Sequence, residues 1–334
     1  MTQPQLRSPA KPMNARRRNR WLQAPRFGAG LIGLTALLAC TPPPPRDALV
    51  PQSRPEDLAP PPRSSESEQL AHYYAVLQQD LLTRGLLRRD GGGPDTPYDA
   101  DKLVRNFEAI AFFDEYAGSG SGSAGGLSRW RGPVRLKAEF GPSVSKAQQL
   151  EDSRFLTDYA NRLARITGHP ISTPTSRGNF YVIYAGKDDS DFVRARVQQI
   201  LPGISAENLE IFANPPRSFY CLVLAGGPQN DPLSYTRGIA LIRDEHPDLV
   251  RKSCVHEEVA QGLGLRNDSP RARPSIFNDD DEFALLTSHD EKLLTMLYDA
   301  RLQPGMSAEQ ARPIARIIAN ELMGVPPEAT PRAY

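Results

Sequence analysis

The sequence has no appreciable excess of either charge, since its 334 residues include 40 Lys and Arg against 39 Asp and Glu. Residues 1–40 hold seven basic side chains and no acidic one, which leaves 33 basic against 39 acidic side chains, a net charge of −6, in the remainder. A protein that follows a nucleic-acid backbone needs a basic face to displace counterions, so we expect no nucleic-acid partner. The 39% hydrophobic and 24% charged content excludes a wholly disordered or collagen-like chain.

The sequence also lacks an apolar run long enough to cross a bilayer near its start, where FGAGLIGLTALLA at 27–39 has the length of a signal-peptide core. This run follows a basic stretch and ends in Leu-Leu-Ala before Cys40, which resembles a bacterial lipobox. The resemblance implies that 1–39 is a lipoprotein signal peptide and that Cys40 carries a lipid anchor in the membrane. Thr41, the residue after this cysteine, resembles the residue at the same position in lipoproteins that Gram-negative cells sort to the outer membrane. The folded part of the chain would then face the periplasm. A cleaved secretory signal with an incidental cysteine is the alternative.

Cysteine is scarce, with three in the whole chain. If Cys40 is acylated, Cys221 and Cys254 remain, and an exported protein lies in a compartment where disulfides persist. We expect these two residues to form a disulfide that closes a loop of about 30 residues and stabilises the fold by roughly 3 kcal/mol. Two buried free cysteines are the alternative.

Composition divides the chain into four parts. Residues 1–39 are the predicted signal peptide, and residues 40–66 are rich in proline with almost no large apolar side chains, which predicts an extended tether. Residues 67–98 are predicted to form an N-terminal helix and a linker. Apolar residues recur at helical spacing up to residue 88, and the stretch GGGPDTP that follows interrupts a helix. Residues 99–334 show no internal repeat and are predicted to form one α+β globular domain.

Within the globular domain the pattern alternates between helical and strand periodicity. Strands are predicted from Trp130 and at 178–186, 218–226 and 237–243. Helices are predicted from Asp99, at 147–167, over about 12 residues between the strands at 178–186 and 218–226, at 248–263, and twice in the C-terminal part, the last at 307–323. The glycine-rich stretch 118–126 is predicted to be a flexible surface loop.

The sequence lacks the nucleophile motif Gly-x-Ser-x-Gly and the zinc motif His-Glu-x-x-His. Its densest polar stretch on a predicted helix is HEEVAQGLGLRND at 256–268, directly after a predicted strand, where zincin metallopeptidases keep their metal ligands. His256 has Ala260 four residues further on, whereas two ligands on one helix must be about four residues apart to reach one metal. A plain zincin site is therefore excluded.

A shift of one residue gives the spacing of the metzincin pattern His-Glu-x-x-His-x-x-Gly-x-x-His/Asp. Glu257, Gln261 and Asn267 then stand at the metal-ligand positions. Glu258 stands at the position of the general base and Gly264 at that of the turn glycine. Only these last two residues keep the family types.

The run from Cys254 to Met306 resembles the bacterial family known as domain of unknown function 2927, through the long stretches SIFNDDDEFALLT and HDEKLLTMLYD. The resemblance covers most of residues 100–323. More distantly, the run resembles the metzincin-like peptidases, in which a Met-turn lies beneath the metal; Ser275, Ile276 and Phe277 stand at about its position, with Phe in place of Met. The resemblance implies a zincin-like α+β domain with a small mixed sheet, an active-site-type helix and a helical C-terminal part.

The residue types in this pattern argue against zinc. Zinc prefers histidine nitrogen and cysteine sulfur, whereas Glu257, Gln261 and Asn267 offer only oxygens, a set better suited to Ca²⁺ or Mg²⁺. Asp268, or the acidic run 279–282, would supply further carboxylates. We therefore expect either no cofactor or a divalent cation, with Glu258 as the candidate general base.

Structural interpretations stand beside the functional ones. Glu257 and Glu258 also suit a solvated helix face, and His256 suits a surface or capping position rather than a ligand position. The acidic run 279–282 suits the cap of the helix that follows it. The remaining histidines are interpreted as structural residues: His72, His169, His246 and His289.

Taken together, these features predict a cell-envelope lipoprotein whose degenerate metallopeptidase-like domain is a binding or scaffolding module. Its expected partners are a peptide or peptidoglycan in the old active-site cleft, or another envelope protein, besides the membrane that holds the anchor. The alternative is a metal-dependent, peptidase-like hydrolase with an oxygen-rich metal site. A pseudo-enzyme fits the residue types better, because the spacing of the family pattern is present without its zinc ligands.

Overall fold

The alternation of β-rich segments with amphipathic helices is present in the computed structural model of the protein, which describes residues 62–113, 125–278 and 280–325. The predicted signal peptide, Cys40 and most of the predicted tether lie outside the described residues, as does most of the glycine-rich loop at 118–126. Within the described ranges no helix is both long and apolar enough to cross a membrane.

The described residues form helices and short strands, in agreement with the predicted α+β class. The helices are α1 (Ser65–Thr83), α2 (Ala100–Ala111), α3 (Lys146–Thr167), α4 (Ser190–Ile200), α5 (Ala206–Ala213), α6 (Asp248–Leu263), α7 (Ser288–Tyr298) and α8 (Ala308–Met323). The strands are β1 (Arg129–Trp130), β2 (Val134–Phe140), β3 (Ile171–Ser172), β4 (Phe180–Ala185), β5 (Cys221–Gly226), β6 (Ser234–Tyr235) and β7 (Arg237–Arg243).

Five strands form the main sheet in the order β3-β2-β4-β7-β5. Strands β3, β2, β4 and β7 are parallel, whereas the edge strand β5 runs antiparallel to β7. The sheet is therefore mixed. A separate parallel pair is formed by β1 and β6.

The larger hydrophobic core lies on one face of the sheet. Leu136, Val182 and Ala240 point to this face from three neighbouring strands and are buried. The core is closed by the apolar sides of α3 and α6, with α2, α7 and α8 packed around them. Helix α6 thus lies directly on the sheet.

The opposite face of the sheet has a smaller core. Ile183 and Ile239 are buried there beneath α4 and α5. Strand β2, which the structure describes completely, contributes no residue to this second core. Because side chains alternate along a strand, β2 presents Arg135, Lys137 and Glu139 on this face instead.

The N-terminal helix begins at Ser65, two residues earlier than predicted, because the side chain of Ser64 accepts a hydrogen bond from the backbone N–H of Ser67. Ser67 Oγ donates a hydrogen bond of 2.9 Å to Glu245, which follows β7. The hydroxyl of Tyr74 donates to a carbonyl of the segment before β5. These contacts attach α1 to the end of the sheet that leads into α6.

The helix of about 12 residues predicted between the strands at 178–186 and 218–226 is confirmed as α4, which has 11 residues, whereas the second helix in this interval, α5, is not predicted from the sequence. Helix α4 ends at Ile200, and α5 begins after Ser205, whose side chain caps it. Pro202 and Gly203 lie between the two helices. Proline lacks the amide donor that would continue a helix, which explains the interruption.

The acidic run 279–282, whose first residue lies outside the described ranges, does not cap the helix that follows. The side chain of Thr287 accepts from the backbone N–H of Asp290, whose carboxylate accepts from the backbone N–H of Thr287 in return. Glu282 instead forms an ion pair of 2.9 Å with Arg88. The capping interpretation of the acidic run is therefore wrong.

A buried ion cluster joins α3, α6 and the end of β7. Arg251, in the first turns of α6, lies 3.3 Å from Asp152 of α3 and 3.2 Å from Asp244. Asp244 also contacts Arg63 at 2.7 Å. Burial raises the pKa of Asp152 to about 6, although the charge of Arg251 opposes the shift.

We expect Arg251→Met to lower the free energy of unfolding by about 3 to 5 kcal/mol, because it leaves two buried carboxylates without their shared cation. Chemical denaturation measures this loss. The exposed Arg154 on α3 provides the control, and Arg154→Met should change the stability by less than about 1 kcal/mol. Equal losses in both variants would contradict the assigned role of the cluster.

Candidate functional site

A cavity of about 300 Å³ lies where α6 passes the beginning of the edge strand β5. Polar side chains from three segments line it. Four of them are carboxylates, and two are amides: Glu257, Glu258, Asp268 and Asp281, with Gln261 and Asn278. No basic side chain belongs to the lining within the described part of the chain. The cavity is therefore acidic.

Helix α6 forms one wall of this cavity because glycine allows it to approach the sheet closely. A Cβ atom on Gly262 would lie 2.3 Å from the ring of Phe180, so any larger residue would push the helix away. Pro247 precedes the helix and Asp248 opens it, as the sequence predicts. Gly264 ends it with a positive φ of 131°.

The predicted disulfide between Cys221 and Cys254 is present, with a Cα–Cα distance of 5.8 Å. It links the first residue of β5 to the middle of α6, and both elements contribute residues to the lining of the cavity. The bond closes a loop of 33 residues, which corresponds to about 3 to 4 kcal/mol of stabilisation in the chain-entropy model. The bond therefore restrains the spacing of β5 and α6 beside the cavity.

The structure brings together four of the five residues predicted for the site. Glu257, Glu258, Gln261 and Asp268 all line the cavity, and Gln261 Nε2 donates to Asp268 Oδ1 at 3.4 Å. Glu258 is 5% exposed, so it does not belong to a solvated helix face, whereas Glu257 is half-buried. The side chain of Asn267 instead donates a hydrogen bond of 2.9 Å to a carbonyl of α2 and does not line the cavity.

The segment predicted to resemble a Met-turn lies beside the cavity. Ile276 is part of its lining, and Phe277 is completely buried next to it. Ser275 Oγ donates to Asp290 Oδ1 at 2.5 Å, and the backbone N–H of Ile276 donates to Asp290 Oδ2 at 3.0 Å. Asp290 at the start of α7 thus holds the turn in place.

Sequence reasoning missed six lining residues: Ser218, Phe219, Tyr220, Ser253, Asn278 and Phe283. Ser253 lies four residues before Glu257 on the same helix, so helical spacing was a signal that could have found it. Tyr220 and Asn278 come from segments without regular structure. No periodicity marks such positions.

His256 points away from the cavity, into the core. Its ring stacks on that of Tyr159 with the centroids 4.0 Å apart, and its Nδ1 accepts a hydrogen bond of 2.9 Å from the backbone N–H of Leu286. Burial, together with the charge of Arg162, lowers the pKa of His256 to about 3. The surface or capping position predicted for it is wrong, because one residue along a helix rotates a side chain by about 100°.

The cavity does not fit zinc. Both cysteines near it are joined in the disulfide, and His256 lies on the opposite side of α6. Over the described ranges, no three His, Cys, Asp or Glu side chains are arranged so that they could hold a metal ion. The remaining donors are carboxylate and amide oxygens, which zinc sites seldom use alone.

Comparison with known proteins gives one match. A family model described as "Protein of unknown function (DUF2927)" matches residues 100–317, a range that runs from α2 into α8 and contains every residue lining the cavity. No curated protein and no solved structure matches the chain.

The low pKa of His256 predicts a specific dependence of stability on pH. In the unfolded chain the ring protonates near pH 6.5, whereas in the folded protein it stays neutral down to about pH 3. The unfolded state therefore binds the extra proton first, and the free energy of unfolding falls as the pH is lowered from 6.5 to 3.

NMR chemical shifts of the labelled His256 ring measure this directly, and the ring should remain neutral at pH values well below the ordinary histidine pKa of about 6.5. The variant His256→Gln should flatten the acid limb of the stability profile, while His72→Gln leaves it unchanged. Titration of His256 near the ordinary histidine pKa would contradict the buried, neutral assignment.

Proposed function

The chain belongs to the family described as protein of unknown function DUF2927, and we propose that it is an exported module that binds an extended peptide with a basic side chain. The observation that carries the proposal is the acidic cavity between α6 and the start of the edge strand β5. The same cavity is lined by four of the five residues that the sequence analysis named as candidate general base or metal ligands: Glu257, Glu258, Gln261 and Asp268.

The edge strand supplies a place for the peptide backbone. Strand β5 is last in the sheet order and pairs only with β7 in that sheet, so one row of its backbone groups faces away from the sheet. An extended peptide can add to such an edge through main-chain hydrogen bonds. Leu224 of β5 is exposed and would offer an apolar contact beside the peptide.

The cavity supplies the specificity. A peptide that follows β5 passes Cys221, which lies in the cavity wall, so a side chain can enter there. Because the described lining holds four carboxylates and no basic group, a lysine or arginine side chain complements it. A volume of about 300 Å³ suits one long side chain rather than a large ligand.

A degenerate zincin-like domain is the architecture that we propose for this module. Three features support it: the polar helix α6 directly after β7, the antiparallel edge strand beside that helix, and the turn at 275–277 that adds Ile276 to the cavity wall. The absence of imidazole from the described lining supports binding without zinc-dependent hydrolysis.

We also propose that the protein is a cell-envelope lipoprotein anchored through Cys40. The disulfide between Cys221 and Cys254 supports an oxidising compartment such as the periplasm, because structural disulfides are rare in the cytosol. An anchored domain on a proline-rich tether would meet peptides, peptidoglycan stem peptides with free amino groups, or other envelope proteins at the membrane surface.

The proposal predicts that a short extended peptide with a central lysine binds more tightly than the same peptide with norleucine. The double variant Glu257→Gln/Glu258→Gln should weaken binding of the lysine peptide about tenfold or more, because the cation loses its charged partners. Isothermal titration calorimetry measures both affinities.

Glu66→Gln/Glu68→Gln is the matched control, because these two glutamates are exposed on α1, outside the lining of the cavity. It should leave the affinity unchanged. The single variant Glu257→Gln guards against a folding defect, since Glu257 is only half-buried. Equal binding of the lysine and norleucine peptides would refute the proposed specificity.

A hydrolase with an oxygen-rich metal site is the second candidate, favoured by one observation. Glu257, Gln261 and Asp268 line one cavity together with Glu258, the candidate general base. Carboxylate and amide oxygens suit Ca²⁺ or Mg²⁺. This function requires a bound cation, whereas the binding module does not.

Elemental analysis of protein purified without chelator and without a histidine tag separates the two functions. We expect no stoichiometric metal and no change in melting temperature when calcium or zinc is added. Stoichiometric calcium with raised thermal stability would favour the hydrolase instead. Its decisive test would then be loss of activity in Glu258→Gln at an unchanged melting temperature.

A further inference from the structure

A second charged feature lies at the other side of the sheet. Strand β2 contributes no residue to the smaller core beneath α4 and α5. On that face of the sheet it presents Arg135 and Lys137 instead. On the neighbouring strands β4 and β7 the same face is buried beneath those helices. A groove therefore runs between α4 and β2.

At one end of this groove, near the first residues of β2, β4 and β7, lies a cavity of about 680 Å³. Four arginines from four different segments line it: Arg135 from β2, Arg177 from the loop before β4, Arg196 from α4 and Arg237 from β7. No Asp or Glu belongs to the described lining. Only the fold brings these arginines together, since they span more than a hundred residues of sequence.

The wall that carries two of the arginines is held firmly. The backbone N–H of Arg135 donates to Asn179 Oδ1 at 2.6 Å, and Lys137 Nζ donates to the carbonyl of Thr175 at 2.7 Å. A Cβ atom on Gly178 would lie 2.5 Å from Cβ of Lys137, so the loop lies directly against β2. These contacts position the loop residue Arg177 beside Arg135.

The four arginines differ in their pairing. Arg196 forms two hydrogen bonds of 2.7 Å with Glu139, and Arg237 donates to a backbone carbonyl at the end of α4. The guanidinium groups of Arg135 and Arg177 have no hydrogen bond or ion pair within the described part of the chain, and both residues are exposed. Two guanidinium groups are therefore available at one cavity.

These positive charges lie together in a chain that is otherwise acidic, since the net charge after residue 40 is −6. Like charges gathered at one cavity repel each other unless an anion lies between them. A guanidinium group presents a planar fork that binds phosphate through two parallel hydrogen bonds. A cavity of about 680 Å³ is within the range of small-molecule sites.

We propose that this cavity, lined by Arg135, Arg177, Arg196 and Arg237, binds a phosphate-bearing ligand. Arg135 and Arg177 supply the two forks that contact the phosphate oxygens. Arg237 adds a further positive charge to the lining, whereas the charge of Arg196 is balanced by Glu139. The phosphate group belongs either to a soluble compound or to the headgroup of an anionic lipid, and the two sources share the same recognition chemistry.

The first test uses inorganic pyrophosphate as the probe and isothermal titration calorimetry on the full chain at low salt. Arg135→Gln/Arg177→Gln should weaken binding about tenfold or more, because both forks are lost. Arg105→Gln/Arg154→Gln is the matched control, since it removes the same charge from two exposed positions outside the cavity. Its affinity should stay within about twofold of the unchanged protein.

The variant Arg135→Lys/Arg177→Lys separates charge from geometry, since lysine keeps the charge but not the planar fork. It should restore part of the affinity that the glutamine variant loses. All four substituted arginines are exposed, so melting temperatures should agree among the variants. If the control variant and the cavity variant weaken pyrophosphate binding equally, the overall charge of the protein explains the loss of affinity. That result would overturn the proposal.

The second test distinguishes the sources. The same proteins are sedimented with vesicles that contain equal parts phosphatidylglycerol and phosphatidylcholine. Vesicles of phosphatidylcholine alone are the control, because sedimentation with them measures attachment that does not require anionic lipid. Sedimentation that needs phosphatidylglycerol and is lost only in the cavity variant assigns the lipid headgroup. Binding of pyrophosphate without sedimentation that depends on phosphatidylglycerol assigns a soluble phosphate compound. Binding of neither probe overturns the proposal.

Discussion

The buried guanidinium of Arg251 is the constraint on which the placement of α6, and with it the candidate site, depends. It neutralises Asp152 on α3 and Asp244 after β7 within 3.3 Å. A buried charge without its partner is strongly unfavourable, so the three elements have to meet at this point. Helix α6 therefore leaves the sheet with a defined position and rotation, which decides which of its side chains face the cavity.

Because of the rotation of α6 about its axis, consecutive residues of this helix lie on different sides of it, one in the core and the next at the cavity. His256 enters the core, loses water and stays neutral, while Glu257 and Glu258 line the acidic cavity. The disulfide then restrains the distance between this helix and the edge strand β5. One helix thus contributes to packing on one side and to a charged cavity on the other, and the imidazole is kept away from the carboxylates.

The two charged cavities lie at different sides of one sheet. The acidic cavity adjoins β5 at one edge, whereas the arginine-lined cavity lies over β2 and β4 near the other. The arginine-lined cavity depends on a strand that contributes nothing to the core beneath α4 and α5, because such a strand is free to carry charged side chains. The carboxylates of the acidic cavity come instead from α6 and the segment that follows it. If both proposals hold, the opposite charges of the two cavities would suit two chemically different ligands without competition between them.

The sequence by itself determined the α+β class, most element positions, the disulfide partners and four residues of the acidic cavity, because periodicity and helical spacing are local properties. It did not determine that α5 follows α4 as a second helix, that α1 begins at Ser65, or that His256 is buried. Only the tertiary structure decided these, together with the meeting of four arginines from distant segments. Burial and long-range pairing depend on which surfaces the folded chain brings into contact, and no local pattern records that.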